Sequence, residues 1–329
     1  MKIQNNFDFL RVAAATMVLI SHQYALNGRA EPLIFGFTVG YFAVFIFFII
    51  SGYWVTKSYE EDRNFLRFII KRLLRLIPGL TVCVIICFFI IGPIGFSGDF
   101  KNYFEIKDNW KFLRNIFFIS KTELQGIFLK NPYPNTLNGS LWTLPIEFKW
   151  YLVLATLGML KMINKKIIFS IILFSIIYWI YINYFNFEQK NYKAFFYLGN
   201  FFLIGALLFL IRIKLFMLFI FLTISGLLLL CKFYYLGLLI GLPPLIIYLG
   251  LQSFEYFNKV NKIGDLSYGV YLFAFPIQQI IFYFFGSKLT FYTSFFLVIV
   301  ITFSFAYFLW HFIELPFLRL KKKLNFLSN

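Results

Sequence analysis

Apolar runs of roughly 18–22 residues follow one another along the chain and constrain its fold more than any other feature, because a helix of that length crosses a hydrocarbon core. Hydrophobic residues make up 60% of the 329 residues, against about 45–50% in a typical soluble domain. The sequence therefore predicts an all-α polytopic membrane helix bundle, a single domain over 1–329 with about ten transmembrane helices. The spans are expected near 8–27, 34–56, 76–96, 139–160, 167–185, 194–211, 215–231, 234–251, 267–286 and 291–313.

The basic residues set the expected orientation. Most of the 31 Lys and Arg residues fall in alternate segments that become cytoplasmic if the amino terminus is inside, and the short loops on the other side carry few. Both termini are therefore predicted to be cytoplasmic, with an extracytoplasmic loop at 97–138 and a basic cytoplasmic tail at 315–329. Irregular backbone cannot face lipid, so the long loop either lies in the outer interface or folds back over the helices.

The formal charge of +17 resembles that of a nucleic-acid-binding protein, but its distribution does not. The cations lie in short loops between apolar runs, where they meet anionic lipid headgroups, so membrane lipids are expected partners and nucleic acid is not. Cys83 and Cys87 are one helical turn apart, but no His or carboxylate adjoins them, and they are interpreted as small buried hydrophobes. No metal site is predicted.

The first span carries Asp8, Arg11 and His22. Arg11 and His22 are eleven residues apart, which places them within about 20° of each other on a helix and roughly 16 Å apart along its axis. Charged groups in spans are costly, so both are candidates for one water-accessible site. The alternative is an arginine that reaches the inner surface and a histidine that only packs.

Lys71, Arg72 and Arg75 lie just before the predicted third span. Arginine binds phosphate oxygens bidentately, so these residues are candidates for holding a phosphate-bearing ligand. Cytoplasmic cations that only set the topology give the same pattern.

Glu147 is expected about two turns into the fourth span, beside Pro145, which would free a backbone carbonyl. A carboxylate at that depth should line a cavity or pair with a cation, with Lys149 and Arg11 as the nearest candidates. An ion pair that only packs helices is the competing interpretation.

The segment from Ile263 to Gln279 offers Tyr268, Tyr271 and Gln278 as a polar, aromatic lining suited to a sugar. The same residues would also serve as interhelical contacts and as an interfacial aromatic belt. At the end of the tenth span, His311–Pro316 is interpreted as a structural, helix-terminating segment.

Together these segments resemble the acyltransferase 3 family of bacterial membrane acyltransferases. Six motifs occur in family order across nearly the whole chain: Arg11 with His22, Phe47–Tyr53, Arg72–Arg75, Ser140–Glu147, Leu266–Tyr271 and Ile313–Pro316. The chain departs from many members at Ala274, where they carry a histidine. It also lacks the extracytoplasmic hydrolase-like domain fused to some members, which implies a stand-alone membrane domain or a separate partner.

The resemblance implies transfer of an acyl group, most often acetyl, from cytoplasmic acyl-CoA to a hydroxyl of a surface or exported polysaccharide or lipid-linked oligosaccharide. Acyl-CoA would be the donor substrate, with no permanently bound cofactor, and the location would be the bacterial inner membrane. The resemblance implies that His22 is the catalytic residue and that Arg11, Arg72 and Arg75 serve donor binding or gating. The other candidates are Glu147 beside His22 in catalysis, Lys71 beside the arginines, and Ser140, Trp142, Tyr268, Tyr271 and Gln278 in binding the acceptor.

His22 would act either as general base or as a transient acyl-imidazole, with Glu147 or a hydroxyl orienting the ring. Two other functions fit the topology. A flippase or transporter of carbohydrate or lipid-linked sugar would also have charged groups in its spans and broken helices. A non-catalytic scaffold for polysaccharide assembly explains the topology but gives no use for Arg11, His22 and Glu147 together.

Overall fold

The computed structural model describes residues 5–184, 190–254 and 263–326, and in these ranges it is an all-α helix bundle, as predicted. A two-residue hairpin, β1 (Leu33–Ile34) paired with β2 (Phe37–Thr38), precedes the second helix. The helices are α1 (Phe7–Leu26), α2 (Val39–Glu61), α3 (Phe65–Ile86), α4 (Gly92–Gly95), α5 (Phe100–Glu105), α6 (Leu144–Met159), α7 (Lys165–Tyr184), α8 (Lys190–Ile211), α9 (Leu215–Leu230), α10 (Tyr234–Leu251), α11 (Ser267–Phe285), α12 (Phe291–Leu309) and α13 (Leu315–Phe326).

Each predicted apolar run contains one helix. Over the described ranges, eight helices are long and apolar enough to cross a membrane, and α6 and α9 are shorter apolar helices of 16 residues each. The chain is therefore a multi-pass membrane protein. Lys2, Lys259 and Lys262, which entered the orientation argument, lie outside the described residues, as do the side chains of Lys190 and Lys321–Lys323.

The third predicted span begins too late. The helix starts at Phe65, where the side chain of Asn64 accepts a hydrogen bond from the Arg67 amide at 2.9 Å. It then runs through Pro78 and continues, through a π-helical turn at Cys87–Ile91, into α4. The basic segment is thus the first part of the spanning helix and not a loop, so Arg72 and Arg75 project from a regular helix at fixed angles.

Helix α2 lies at the centre of the bundle and packs closely on α8. A Cβ added to Gly52 would lie 1.9 Å from the Phe202 carbonyl oxygen, and one added to Gly205 would lie 2.2 Å from that of Ile49. Only glycine allows the two backbones to approach this closely, a common device in membrane helix pairs. This contact holds the inner face of α2 toward α1, α3 and α6.

The loop 97–138 folds back over the helices, the second of the two predicted arrangements. It contains α5 and a 3-10 helix at Asn109–Phe117, and Ile127 and Phe128 are fully buried. The side chain of Asn131 donates to Gln279 Oε1 of α11 at 2.7 Å. Gln279 Nε2 in turn donates to the carbonyl oxygen of Tyr133 at 2.8 Å, so the loop is hydrogen-bonded to the bundle.

The expectation that His311–Pro316 ends a helix is wrong. A π-helical turn at Trp310–Glu314 leads directly into α13, whose second residue is Pro316. Proline is tolerated in a first turn because its missing N–H has no partner there, and the wider π turn removes the need for one. The π turn directs Glu314 inward, where its side chain is buried.

Candidate active site

An internal cavity of about 110 Å³ lies between α1, α2, α3, α6 and α11. Its lining combines apolar residues with a set of charged and hydroxyl side chains. The polar members are Arg11, Ser51, Arg72, Arg75, Thr143, Glu147, Tyr151, Ser267, Tyr268 and Tyr271. Cationic, anionic and hydroxyl groups therefore converge in one enclosed space, which is the arrangement expected of a site and not of helix packing alone.

Arg75 is fully neutralised by buried carboxylates. Its Nη2 lies 2.6 Å from Asp265 Oδ2, and its Nη1 lies 2.8 Å from Glu314 Oε2. Asp265 also lies 3.7 Å from Arg11, which is 3.6 Å from Asp8. The network ties α1, α3, the start of α11 and the π turn before α13 together beneath the cavity.

Arg72, one turn earlier on the same helix, has a different environment. Its Nη2 donates to Ser58 Oγ at 2.8 Å, and its guanidinium lies 5.5 Å from the centre of the Phe68 ring. Its Nε is buried without a hydrogen-bond partner, and no carboxylate of the described chain lies within ion-pair distance. A buried cation that lines a cavity and makes no ion pair among the described residues is suited to an anionic ligand.

Glu147 lies closer to the start of its helix than predicted. Helix α6 begins at Leu144, so Glu147 is in its first turn. Pro145 is also in that first turn, so it frees no backbone carbonyl. Lys149 is exposed and does not pair with Glu147. Glu147 Oε1 instead accepts hydrogen bonds from Ser51 Oγ, at 2.8 Å, and from the Tyr151 hydroxyl.

His22 lies inside the bundle, but it does not line the cavity. Its ring meets Phe275 edge-on at 5.2 Å between centroids, and its Nδ1 is buried without a hydrogen-bond partner. Tyr271, one turn below Phe275, closes the cavity by a 2.6 Å hydrogen bond to Thr143 and by contact with Phe47 at 5.7 Å. The cavity therefore ends one helical turn below His22, so Arg11 lines it and His22 lies beyond its outer end.

The other predicted site residues divide between lining and support. Tyr268 lines the cavity and donates to the Leu76 carbonyl at 2.9 Å, whereas Lys71 lies outside it and pairs with Asp62 at 2.5 Å. The remaining three hold the outer half together. The Ser140 carbonyl accepts from Tyr271 at 2.7 Å, Trp142 stacks on Tyr41 at 5.9 Å, and Gln278 donates to Gln23 at 3.0 Å.

Sequence reasoning assigned no site role to Ser51, Tyr151, Asp265 and Glu314. Ser51 and Asp265 lie in segments that the sequence analysis considered, Phe47–Tyr53 and Ile263–Gln279, but no function was predicted for their side chains. A usable signal was the scarcity of acids, since the chain has only 14 Asp and Glu residues and a carboxylate beside an apolar run needs a partner. Asp265 and Glu314 satisfy that rule by pairing with Arg75.

Comparison with known proteins agrees with this architecture. The acyltransferase domain profile of the acyltransferase 3 family matches residues 4–311. An O-acetyl transferase of Shigella phage Sf6 is 30% identical over 95% of this chain and 96% of its own length. Nodulation protein 10 of Rhizobium leguminosarum bv. viciae is 29% identical over 47% of this chain and 44% of its own length. No solved structure matches the chain.

The family profile covers most of the bundle, including all the helices that surround the cavity, and the phage relative matches the chain from end to end. The chain belongs to the acyltransferase 3 family and is a multi-pass membrane O-acyltransferase.

Proposed function

We propose that the chain takes an acetyl group from cytoplasmic acetyl-CoA and transfers it to a hydroxyl of a polysaccharide or lipid-linked oligosaccharide on the outer side of a bacterial inner membrane. The observation that carries the proposal is Arg72, a buried guanidinium that lines the cavity without a counter-ion in the described chain. The phosphates of coenzyme A supply that negative charge. The phage relative is named an O-acetyl transferase, which favours acetyl as the transferred group.

In this proposal the donor enters from the cytoplasmic end, where the arginines lie. Arg72 and Arg11 hold the phosphates, while Arg75 stays bound to Asp265 and Glu314. The acyl end extends up the cavity toward Tyr271 and Thr143. It reaches His22 when the Tyr271 side chain moves aside, a change that breaks the hydrogen bonds of its hydroxyl to Thr143 and to the Ser140 carbonyl.

The imidazole of His22 is suited to the chemistry because its Nδ1 is inside the bundle and has no competing hydrogen bond. As general base, His22 takes the proton of the acceptor hydroxyl while the oxygen attacks the thioester carbonyl. The carbon–sulfur bond then breaks, and the proton passes to the coenzyme A thiolate. In the covalent variant, a ring nitrogen of His22 attacks the thioester carbonyl, and the carbon–sulfur bond breaks to release coenzyme A as the thiol, which takes the imidazole proton. The acceptor oxygen then attacks the acetyl-imidazole, the carbon–nitrogen bond breaks, and the hydroxyl proton returns to the ring.

Two histidines in the chain provide a matched pair for the test. His22→Ala should abolish acetylation of the organism's polysaccharide in a gene-deletion strain, whereas His311→Ala should restore the wild-type level. His311 is a suitable control because it lies in the π-helical turn after α12, outside the cavity, where it contacts the Ile263 carbonyl at 3.1 Å.

The measurement is NMR of purified surface and secreted polysaccharides, with membrane content of each variant checked by immunoblotting. Wild-type acetyl signals from the His22→Ala strain would refute the role of His22. Purified wild-type protein that neither binds nor consumes acetyl-CoA would refute the donor and favour a transporter.

A further inference from the structure

A second cavity of about 290 Å³ opens at the cytoplasmic ends of α2, α3 and α6, apart from the site described above. Its lining includes Tyr59, Glu60, Arg63, Phe65 and Lys161. We infer that this cavity binds the nucleotide end of the donor, the adenosine 3′-phosphate. The inference rests on the proposed function, since it assigns a subsite for the same acyl-CoA.

The position of the cavity fits one long ligand that spans both spaces. Gly158 in its wall lies seven residues after Tyr151 of the main cavity, about 10 Å along α6. Tyr59 lies four residues after Val55, about 6 Å along α2. Arg72 bonds Ser58, the residue before Tyr59, so the unpaired cation lies where the two cavities approach each other.

The cations of this cavity are more exposed than the neighbouring Arg67 and Lys71, whose side chains are 31% and 6% exposed. Arg67 and Lys71 are both bound to Asp62, at 2.9 and 2.5 Å. Lys161 is exposed, and Arg63 keeps 72% of its side chain exposed although it pairs with Glu60 at 2.5 Å. Two cations that face one carboxylate leave net positive charge for a phosphate.

The remaining chemistry suits a purine nucleoside. The half-buried ring of Phe65 offers an aromatic surface for a base. The Glu60 carboxylate accepts hydrogen bonds, as the exocyclic amine of adenine and the ribose hydroxyl both require. The volume is close to the lower end of the range of about 300–1,000 Å³ for small-molecule sites.

Close packing and a hydrogen-bonded turn after α6 hold the wall of this cavity in place. A Cβ on Gly158 would lie 2.1 Å from the Tyr59 ring, so that ring packs directly against the α6 backbone. After α6, Lys161 takes a left-handed conformation (φ +57°), and its amide donates to the Gly158 carbonyl at 2.9 Å. The Met162 amide donates to Leu157 at 2.8 Å, which closes the turn and holds Lys161 beside the opening.

The test compares two donors that differ only in the nucleotide, acetyl-CoA and S-acetylpantetheine, on purified protein in nanodiscs. Arg63→Ala and Lys161→Ala should each raise KM for acetyl-CoA at least tenfold and leave KM for S-acetylpantetheine unchanged. Met159→Trp, which fills the cavity without removing charge, should show the same selectivity. Lys165→Ala is the control, because Lys165 is an exposed cation of the same connection outside the cavity.

The outcomes separate this subsite from the proposed function. The subsite is refuted if a variant raises KM for both donors equally or for neither. It is also refuted if wild-type protein uses the two donors equally well. A loss that appears only in nanodiscs with anionic phosphatidylglycerol, and not in pure phosphatidylcholine, means that the cations bind lipid headgroups and also overturns it. Wild-type protein that transfers from neither donor refutes the proposed function itself.

Discussion

The inner and outer halves of the bundle interior differ in the kind of polar groups that they bury. Toward the cytoplasm, polar groups are charged, and Arg75 is paired with Asp265 and Glu314. Toward the outside, many of the buried polar groups are amides and hydroxyls, such as Gln278 bonded to Gln23 and Asn131 bonded to Gln279, although buried Ser21 also donates to the carboxylate of Glu31. Each half leaves some buried polar atoms without a partner among the described residues, such as Arg72 Nε and His22 Nδ1, but the charged groups that line the cavity lie in the inner half.

This difference in charge indicates where each substrate is expected to bind. A low dielectric strengthens charge–charge attraction, so an inner half with an uncompensated Arg72 favours a polyanion such as coenzyme A. The outer half has His22 among neutral groups, which suits a neutral sugar hydroxyl. The predictions that follow change one half at a time.

The largest effect is expected from Arg75→Ala. This change leaves Glu314 buried without a cation and leaves Asp265 only the more distant Arg11, at 3.7 Å, and breaking a buried pair in this way costs on the order of 3–5 kcal/mol. Thermal unfolding in detergent should show a clearly lower midpoint than wild type, and membrane yield should fall. Arg319→Ala, at an exposed position on α13, is the control and should unfold like wild type. An unchanged midpoint for Arg75→Ala would mean that the carboxylates find other partners.

Arg72→Ala should separate binding from stability, although Arg72 lies only one turn from Arg75. Its loss removes a buried charge without an ionic partner in the described chain, so the unfolding midpoint should stay the same or rise. Affinity for acetyl-CoA should fall by about 1.5–3 kcal/mol, the worth of a charge-assisted hydrogen bond. Calorimetric titration with acetyl-CoA measures the fall, and Arg72→Lys should recover part of it. If Arg72→Ala instead lowered the unfolding midpoint and left the affinity for acetyl-CoA unchanged, Arg72 would serve stability and not donor binding.

Gln279→Leu tests the neutral network of the outer half. The side chain of Gln279 accepts from Asn131 and donates to the carbonyls of Tyr133 and Thr136, at 2.7 to 2.8 Å. Its loss should destabilise the attachment of the loop by about 1–2 kcal/mol. Amide hydrogen exchange should accelerate across 122–137 and not in α3.

Gln252→Leu is the matched control, because Gln252 follows α10 directly and its side chain donates to the Tyr248 carbonyl of that helix at 3.4 Å, away from the loop 97–138. Equal exchange of 122–137 in the two variants would show that the loop is held by its buried apolar residues alone.

The sequence predicted the helices far better than the partners of their polar groups. Apolar runs of span length leave only helices as an option, since backbone groups in lipid must bond within their own segment. Ion pairing depends on which helices are neighbours in the bundle, and the hydrophobic periodicity of the sequence does not determine this. For this reason Glu147 was expected near Lys149 or Arg11, but it bonds Ser51 and Tyr151. The helical geometry predicted one shared site for Arg11 and His22, but only Arg11 lines the cavity, and the sequence could not show that Tyr271 ends it below His22.

The smallest effect is expected in the outer loop, where one carboxylate is bound by two lysines. Asp108 accepts from Lys111 at 2.6 Å and from Lys121 at 2.7 Å, and these hydrogen bonds lower the pKa of its carboxyl to about 2. A carboxyl with a depressed pKa stabilises the fold above its unfolded value, about 3.9, and this contribution is lost as the pH falls from there to about 2. Asp108→Asn should therefore speed limited proteolysis near Lys121 slightly at neutral pH, and the difference from wild type should shrink as the pH falls through this window. Because the pair is exposed and salt screens it, 1 M NaCl should also reduce the difference. A difference that persists at pH 2 would assign the effect to packing of the side chain and not to its charge.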